Sequence, residues 1–182
     1  MSEQKGIPAA SIVSYTQCAL VLRTPFELIG AILGPTNVKI GELVSTQQFK
    51  RARNFTMKVS TATLSVTFVV SFLGFVFGER LVAVLFPDYA ELGGRHVFLI
   101  GLVVGVPSAV APLRFVAQHL DLRIVLLSSG LIAFIVSLAL LVVTSEELAL
   151  ILPPLAGFAA FIAVLMPFAL FHASGLVGIR RD

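Results

Sequence analysis

Charge is scarce in this chain. Asp, Glu, Lys and Arg make up 13% of the residues against 57% hydrophobic, which leaves little chain for a soluble domain and gives no reason to invoke nucleic acid. A single cysteine, Cys18, excludes an intrachain disulfide. The three histidines, His96, His119 and His172, fall near the ends of apolar stretches, where they meet interfacial water. No set of residues has metal-ligand spacing, so no metal and no other cofactor is expected. No nucleophile–base pair is legible either, and the chain is not expected to be an enzyme. Internal repeats and low-complexity tracts are absent. The N-terminus has one Lys and no basic run before a short apolar core, so no signal peptide is expected.

What the chain does contain is apolar length. Five stretches reach or approach the ~20 residues needed to cross a hydrocarbon core of ~30 Å: 9–33, 59–77, 97–117, 124–143 and 148–171. A segment in hydrocarbon must satisfy its own backbone groups, and a helix does so locally. The sequence therefore predicts an all-α, polytopic membrane bundle of about five transmembrane helices, a single membrane domain over 1–182.

The sparse charges sort by side. Lys39, Lys50, Arg51, Arg53, Lys58, Arg114, Arg123, Arg180 and Arg181 fall on one side of the five-span arrangement. Only Lys5, Arg80 and Arg95 fall on the other, with Glu3, Glu79, Asp88, Glu91, Glu146 and Glu147. Cytoplasmic loops carry the excess of Lys and Arg, which predicts an N-terminus outside and a C-terminus in the cytoplasm. The basic segment 36–58 is then a cytoplasmic connection. Gly34-Pro35 is expected to end the first span, and Val38, Ile40, Leu43 and Val44 suit a helix lying in the interface. The basic side also suits contact with anionic lipid headgroups.

Two charges break the first span. Arg23 and Glu27 are four residues apart, on one helix face, where they can partly neutralise each other. Each ionised group near the bilayer centre costs at least ~2.5–3.5 kcal/mol on insertion scales. Thr16, Arg23, Glu27, Gly30 and Gly34 form one polar or small stripe at 3–4 spacing, and Pro25 between the charges removes a backbone donor. Such a face requires protein or a water-filled cavity in front of it. Two uses fit: a cationic site for an anionic substrate, or a structural ion pair that locks this helix to a neighbour.

The other spans carry weaker signals. Ser60, Thr61, Thr63, Ser65 and Thr67 open the second, where hydroxyls can bond back to their own backbone. Leu81–Phe86 should continue that helix in the interface before a turn at Pro87-Asp88-Tyr89. The third contains Gly101 and Gly105, a spacing that lets another helix approach closely, together with Pro107 and Pro112. The fourth is plain Leu, Ile and Val, suited to facing lipid. The fifth contains Pro153-Pro154 and Pro167. These prolines serve either as hinges or as static kinks.

The order of features resembles the polysaccharide (oligosaccharide-lipid) flippase family of the multidrug/oligosaccharidyl-lipid/polysaccharide exporter superfamily. Tyr15–Arg23 resembles a helix with an early tyrosine and a deeper arginine. Val44–Arg53 resembles the basic cytoplasmic loop before the next helix. Phe77–Ala90, with its Gly78-Glu79, apolar run and Tyr89-Ala90, resembles the segment between the family's second and third helices, and Gln118–Arg123 falls at a short polar loop. The resemblance spans roughly Ser14–Gly178 and corresponds to one half of such a transporter without its first helix. It implies a multi-pass protein of the bacterial inner membrane. The implied role is a flippase-like half or fragment that handles a polyprenyl-pyrophosphate-linked glycan in cell-surface polysaccharide biosynthesis. The implied partners are the bilayer, the lipid-linked oligosaccharide, and another membrane chain or a homo-oligomer. Arg23 would hold the pyrophosphate and Glu27 would position it. The alternative is a non-transporting structural or accessory subunit of a larger membrane complex.

Overall fold

The computed structural model describes residues 9–85, 93–143 and 151–173. The turn at Pro87–Tyr89, Phe86, residues 148–150, Glu146-Glu147, Lys5 and Arg180-Arg181 lie outside them, as do Phe168–Ala173 for their side chains. Five helices account for nearly all of the described chain, with no strand among the described residues: α1 Ala9–Ser45, α2 Phe49–Leu85, α3 Gly94–His119, α4 Arg123–Val143 and α5 Leu152–Ala173. The first four are long and apolar enough to cross a membrane, and Leu152–Pro167 of α5 is apolar but shorter. This is the all-α, multi-pass architecture that the apolar stretches predict.

The basic segment departs from expectation. Gly34-Pro35 does not end the first helix. α1 runs unbroken through Pro25 and Pro35 to Ser45, and α2 begins four residues later. The connection is only Thr46–Gln48, so 36–58 is a helical hairpin tip and not an interfacial loop. Pro35 withholds the backbone donor due to Ala31 O, which a membrane helix tolerates, and the adjoining Thr36 hydroxyl donates to the Ile32 carbonyl at 2.9 Å.

The reversal at Thr46–Gln48 uses a Schellman motif without glycine. Gln48 N donates to Leu43 O at 2.8 Å and Gln47 N to Val44 O at 3.0 Å, with Gln47 in the left-handed region at φ 57°. The α3–α4 reversal repeats it: Leu122 N donates to Ala117 O at 2.9 Å, Asp121 N to Gln118 O at 3.1 Å, and Asp121 has φ 58°. Both reversals lie at the same end of the bundle, which carries Lys39, Lys50, Arg51, Arg53, Lys58 and Arg123 and is called the basic end below.

α3 sits at the centre and touches the other four helices. It packs most extensively on α2 and α1, while α4 packs chiefly on α5. α2 is amphipathic in an inverted sense. Its buried face is small or hydroxylic: Ala52, Thr56, Thr63, Thr67, Ser71, Gly74 and Gly78. Its exposed face is Phe68, Val69, Phe72, Phe75, Val76 and Phe77. In lipid the apolar face needs no cover, and small side chains let backbones approach. Gly101 and Gly105 of α3 complete this contact as their spacing predicts. A Cβ on Gly101 would meet Ser71 Oγ at 2.6 Å, and one on Gly105 would meet Thr67 Cγ2 and Phe26 Cζ at 2.5 Å.

Hydroxyls divide by location. Exposed Ser65 donates to Thr61 O at 2.9 Å and exposed Ser128 to Val125 O at 3.1 Å, the back-bonding that lipid demands. Ser60 and Thr67 do not follow that expectation, because their oxygens are buried without a hydrogen-bond partner among the described residues. α4 is exposed along most of its apolar length, as a lipid-facing helix should be. Its Ser137 donates to Pro153 O of α5 at 2.9 Å, beside Gly157. Pro153 and Pro154 fall in the first turn of α5, where their missing donors cost nothing, so they are neither hinge nor kink.

Candidate functional site: an ion pair at mid-membrane depth

The charges themselves gauge depth. On α2 no charged residue lies between Lys58 and Glu79, about 21 residues or ~31 Å at ~1.5 Å per residue. On α3 the uncharged interval between Arg95 and Arg114 is about 19 residues, ~28 Å. Both match a hydrocarbon core of ~30 Å. Their midpoints fall near Phe68 and Gly105, and Thr67 and Gly105 are in contact, so the two gauges agree on one midplane. Phe26 of α1 packs at that same contact.

Arg23 and Glu27 flank Phe26 in sequence and therefore lie within ~5 Å of the midplane along α1. They are brought together: Arg23 Nε is 2.9 Å from Glu27 Oε1. The helix also turns them away from the bundle, with 64% and 63% of their side-chain surface accessible. Phe26, between them, is 4% exposed and faces α3. The pair is thus on the outer face of α1, and no cavity within the five helices encloses it among the described residues. The closest approach joins Nε of the guanidinium to one carboxylate oxygen.

The small residues of the stripe continue this open face. A Cβ added to Gly30 or Gly34 would meet nothing within 4 Å. The other glycines behave differently. Gly41, Gly74, Gly78, Gly94, Gly101, Gly105 and Gly157 each abut another helix, and among the described helical glycines only Gly130 shares the openness of Gly30 and Gly34. Toward the basic end the α1 stripe is occupied. The His119 ring of α3 rests on Gly41, 2.7 Å from where its Cβ would be, and its Nε2 lies 3.0 Å from Asn37 Oδ1. His119 is therefore tied to α1 and not left to interfacial water alone. The Asn37/Gly41 seat was not legible from sequence; a small residue one turn from Asn on the Arg23 stripe is the signal that points to it.

Behind the face, Gln17 Oε1 of α1 and Thr67 Oγ1 and Ser71 Oγ of α2 are buried with no hydrogen-bond partner among the described residues. Cys18 is buried with Val97, Ile100 and Ile151. No group of His, Cys, Asp and Glu among the described residues is arranged to hold a metal. Two further ion pairs among the described residues, Lys39–Glu42 and Arg123–Asp121, both at 2.9 Å, lie at the basic end. Compared with protein-family models, curated proteins and solved structures, the chain matches none.

Proposed function

We propose that this chain is one half of a flippase-like transporter of the bacterial inner membrane, which moves a polyprenyl-pyrophosphate-linked glycan along the outer face of α1. One observation carries the reading: an arginine near the midplane that is held by Glu27 at its Nε and faces out of its own bundle. A pyrophosphate crossing the bilayer needs a cation at that depth, and a guanidinium offers a forked donor set suited to phosphate oxygens. Glu27 fixes the guanidinium between substrates and competes with the phosphate, which assists release. Translocation forms no covalent bond, so no nucleophile is required. The resemblance to one half of such transporters supports the same assignment, and a path along an open face needs a second half to complete it.

The second reading is a structural subunit of a larger membrane complex. It is favoured by the self-pairing of Arg23 and by the open Gly30 and Gly34, which suit a helix–helix contact. Complementation of a glycan-flipping defect separates the two, with membrane abundance measured in parallel. Transport predicts partial function for Arg23→Lys and little for Arg23→Gln at equal abundance. Full complementation by abundant Arg23→Gln removes Arg23 as the anion site and leaves the structural subunit.

A further inference from the structure

We infer that α2 carries a binding site for an anionic phospholipid of the leaflet at the basic end. Lys58, Asn54 and Arg51 face the headgroup phosphate, and the acyl chains lie on the apolar surface of the same helix face. The site makes no use of Arg23 and stands apart from the transport reading.

The outward face of α2 is one continuous stripe. From Arg51, steps of three or four residues lead to Asn54 and Lys58, and three turns further to Val69, Phe72 and Val76, all of them exposed. Ser65, between the two groups, bonds back to Thr61 O at 2.9 Å, so its hydroxyl makes no demand on lipid. A surface that is apolar for most of its length and cationic at one end matches a lipid tail and an anionic headgroup in the same order.

The cations on this stripe are unmatched. Lys58 and Arg51 form no ion pair among the described residues, whereas Lys39 and Arg123 at the same end are held by Glu42 and Asp121. Arg51 Nη1 donates to the neutral Gln48 Oε1 at 2.8 Å, which steadies the guanidinium without cancelling its charge. No acidic residue occurs between Phe49 and Gly78. At the other end of the helix Arg80 adjoins Glu79 in sequence, so the unmatched charge belongs to one leaflet. Orientation in the membrane requires only an excess of cations on one side. It does not require them in line with the lipid-facing stripe.

Depth and direction agree with this use. Lys58 closes the uncharged interval of α2 at the hydrocarbon boundary, and Arg51 lies ~10 Å further toward the aqueous side. Helix side chains tilt toward the N-terminus, which for α2 is the basic end, so Lys58 extends out of the hydrocarbon toward phosphate. A zwitterionic headgroup brings its own cation to the same place. An anionic one leaves its full charge to Lys58 and Arg51.

The chain has no tryptophan, so a single introduced tryptophan reports lipid contact at its own position. Full-length Ser65→Trp, and separately Leu131→Trp on α4, is reconstituted in symmetric vesicles of phosphatidylcholine and phosphatidylglycerol, with bromine on the acyl chains of one lipid or the other. Both positions are exposed. Quenching at Ser65→Trp should show phosphatidylglycerol favoured by at least about fivefold, and Leu131→Trp should show near-equal quenching by the two lipids. In the Ser65→Trp background, Lys58→Gln should lower the preference about fivefold and Lys58→Arg should keep it. Arg123→Gln removes the same charge from the same end and should leave the preference in place. No preference at Ser65→Trp overturns the site. Equal preference at the two tryptophan positions, or equal loss with Lys58→Gln and Arg123→Gln, overturns it in favour of diffuse surface charge.

Discussion

Arg23 and Glu27 bond to each other across one turn of α1, while Phe26 between them packs against Gly105 of α3. A single turn thus anchors the helix to its bundle and presents two charges away from it, at the depth where ionisation is least favourable. The charges lose least by pairing, and they gain further only from a polar path or a protein partner outside these five helices. The functional account grows from that conflict between location and exposure.

The pair should behave as mutual partners. Arg23→Ala strands a carboxylate near the midplane, and Glu27→Ala strands a guanidinium. Each single variant should be less stable in detergent and bilayer melts than the Arg23→Ala/Glu27→Ala double variant, by roughly 2–3 kcal/mol. A double variant clearly below both singles would show that the two charges serve other partners.

The central contact should be intolerant of volume. Gly105→Ala places a Cβ 2.5 Å from both Thr67 Cγ2 and Phe26 Cζ, so α1 or α2 has to shift. The expected loss is about 1–3 kcal/mol. Gly130→Ala, on the open surface of α4, should be neutral or slightly stabilising. Equal effects of the two substitutions in denaturation would contradict the packing described for α3.

The reversal at Gln47 stores a small strain. A non-glycine residue at φ 57° bears the left-handed penalty that glycine avoids. Gln47→Gly should raise stability by roughly 0.5–1 kcal/mol. Gln47→Val, β-branched at the same φ, should lower it. The opposite order would mean that this helix end adopts another conformation.

The charge asymmetry predicts a topology that labelling can check. Cysteines placed at Gln48 and at Ser145, in a Cys18→Ala background, should label from opposite faces of the membrane with an impermeant thiol reagent, Gln48 from the cytoplasm. Labelling of both from one face would break the arrangement of crossings.

Much of the fold is legible in the sequence, because apolar length and the need to satisfy the backbone in lipid leave few alternatives to helices. The Gly101/Gly105 spacing also identifies a close helix contact correctly. The ends of helices are less legible. Gly34-Pro35 reads as a stop, yet α1 continues, because a proline inside a membrane helix is tolerated where its surroundings re-satisfy or spare the freed backbone group. The reversal at Asp121 falls in the polar Gln118–Arg123 break between two apolar stretches, where the sequence places a loop, whereas the one at Gln47 contains no glycine and lies inside a basic segment that does not mark it. The partner surface of α2 is spread over Ala52, Thr56, Thr63, Thr67, Ser71, Gly74 and Gly78. It is polar or small where a soluble helix would be apolar, and a search for apolar periodicity passes over it. At the site, the pairing of Arg23 with Glu27 follows from their spacing. Their outward direction does not, since it depends on which face of α1 α3 takes.

The most direct test asks what lies before that face in the membrane. A spin label is attached at Thr24→Cys, between the two charges on the exposed side of α1, and separately at Leu131→Cys on α4, both in the Cys18→Ala background and in bilayers. Collision with oxygen reports exposure to lipid tails. Leu131 is exposed and apolar and should give the high oxygen accessibility of a lipid-facing site. A protein partner or polar path over α1 predicts a markedly lower value at Thr24, at the same depth scale. Equal high oxygen accessibility at both positions would place the Arg23–Glu27 pair in open lipid and contradict the account.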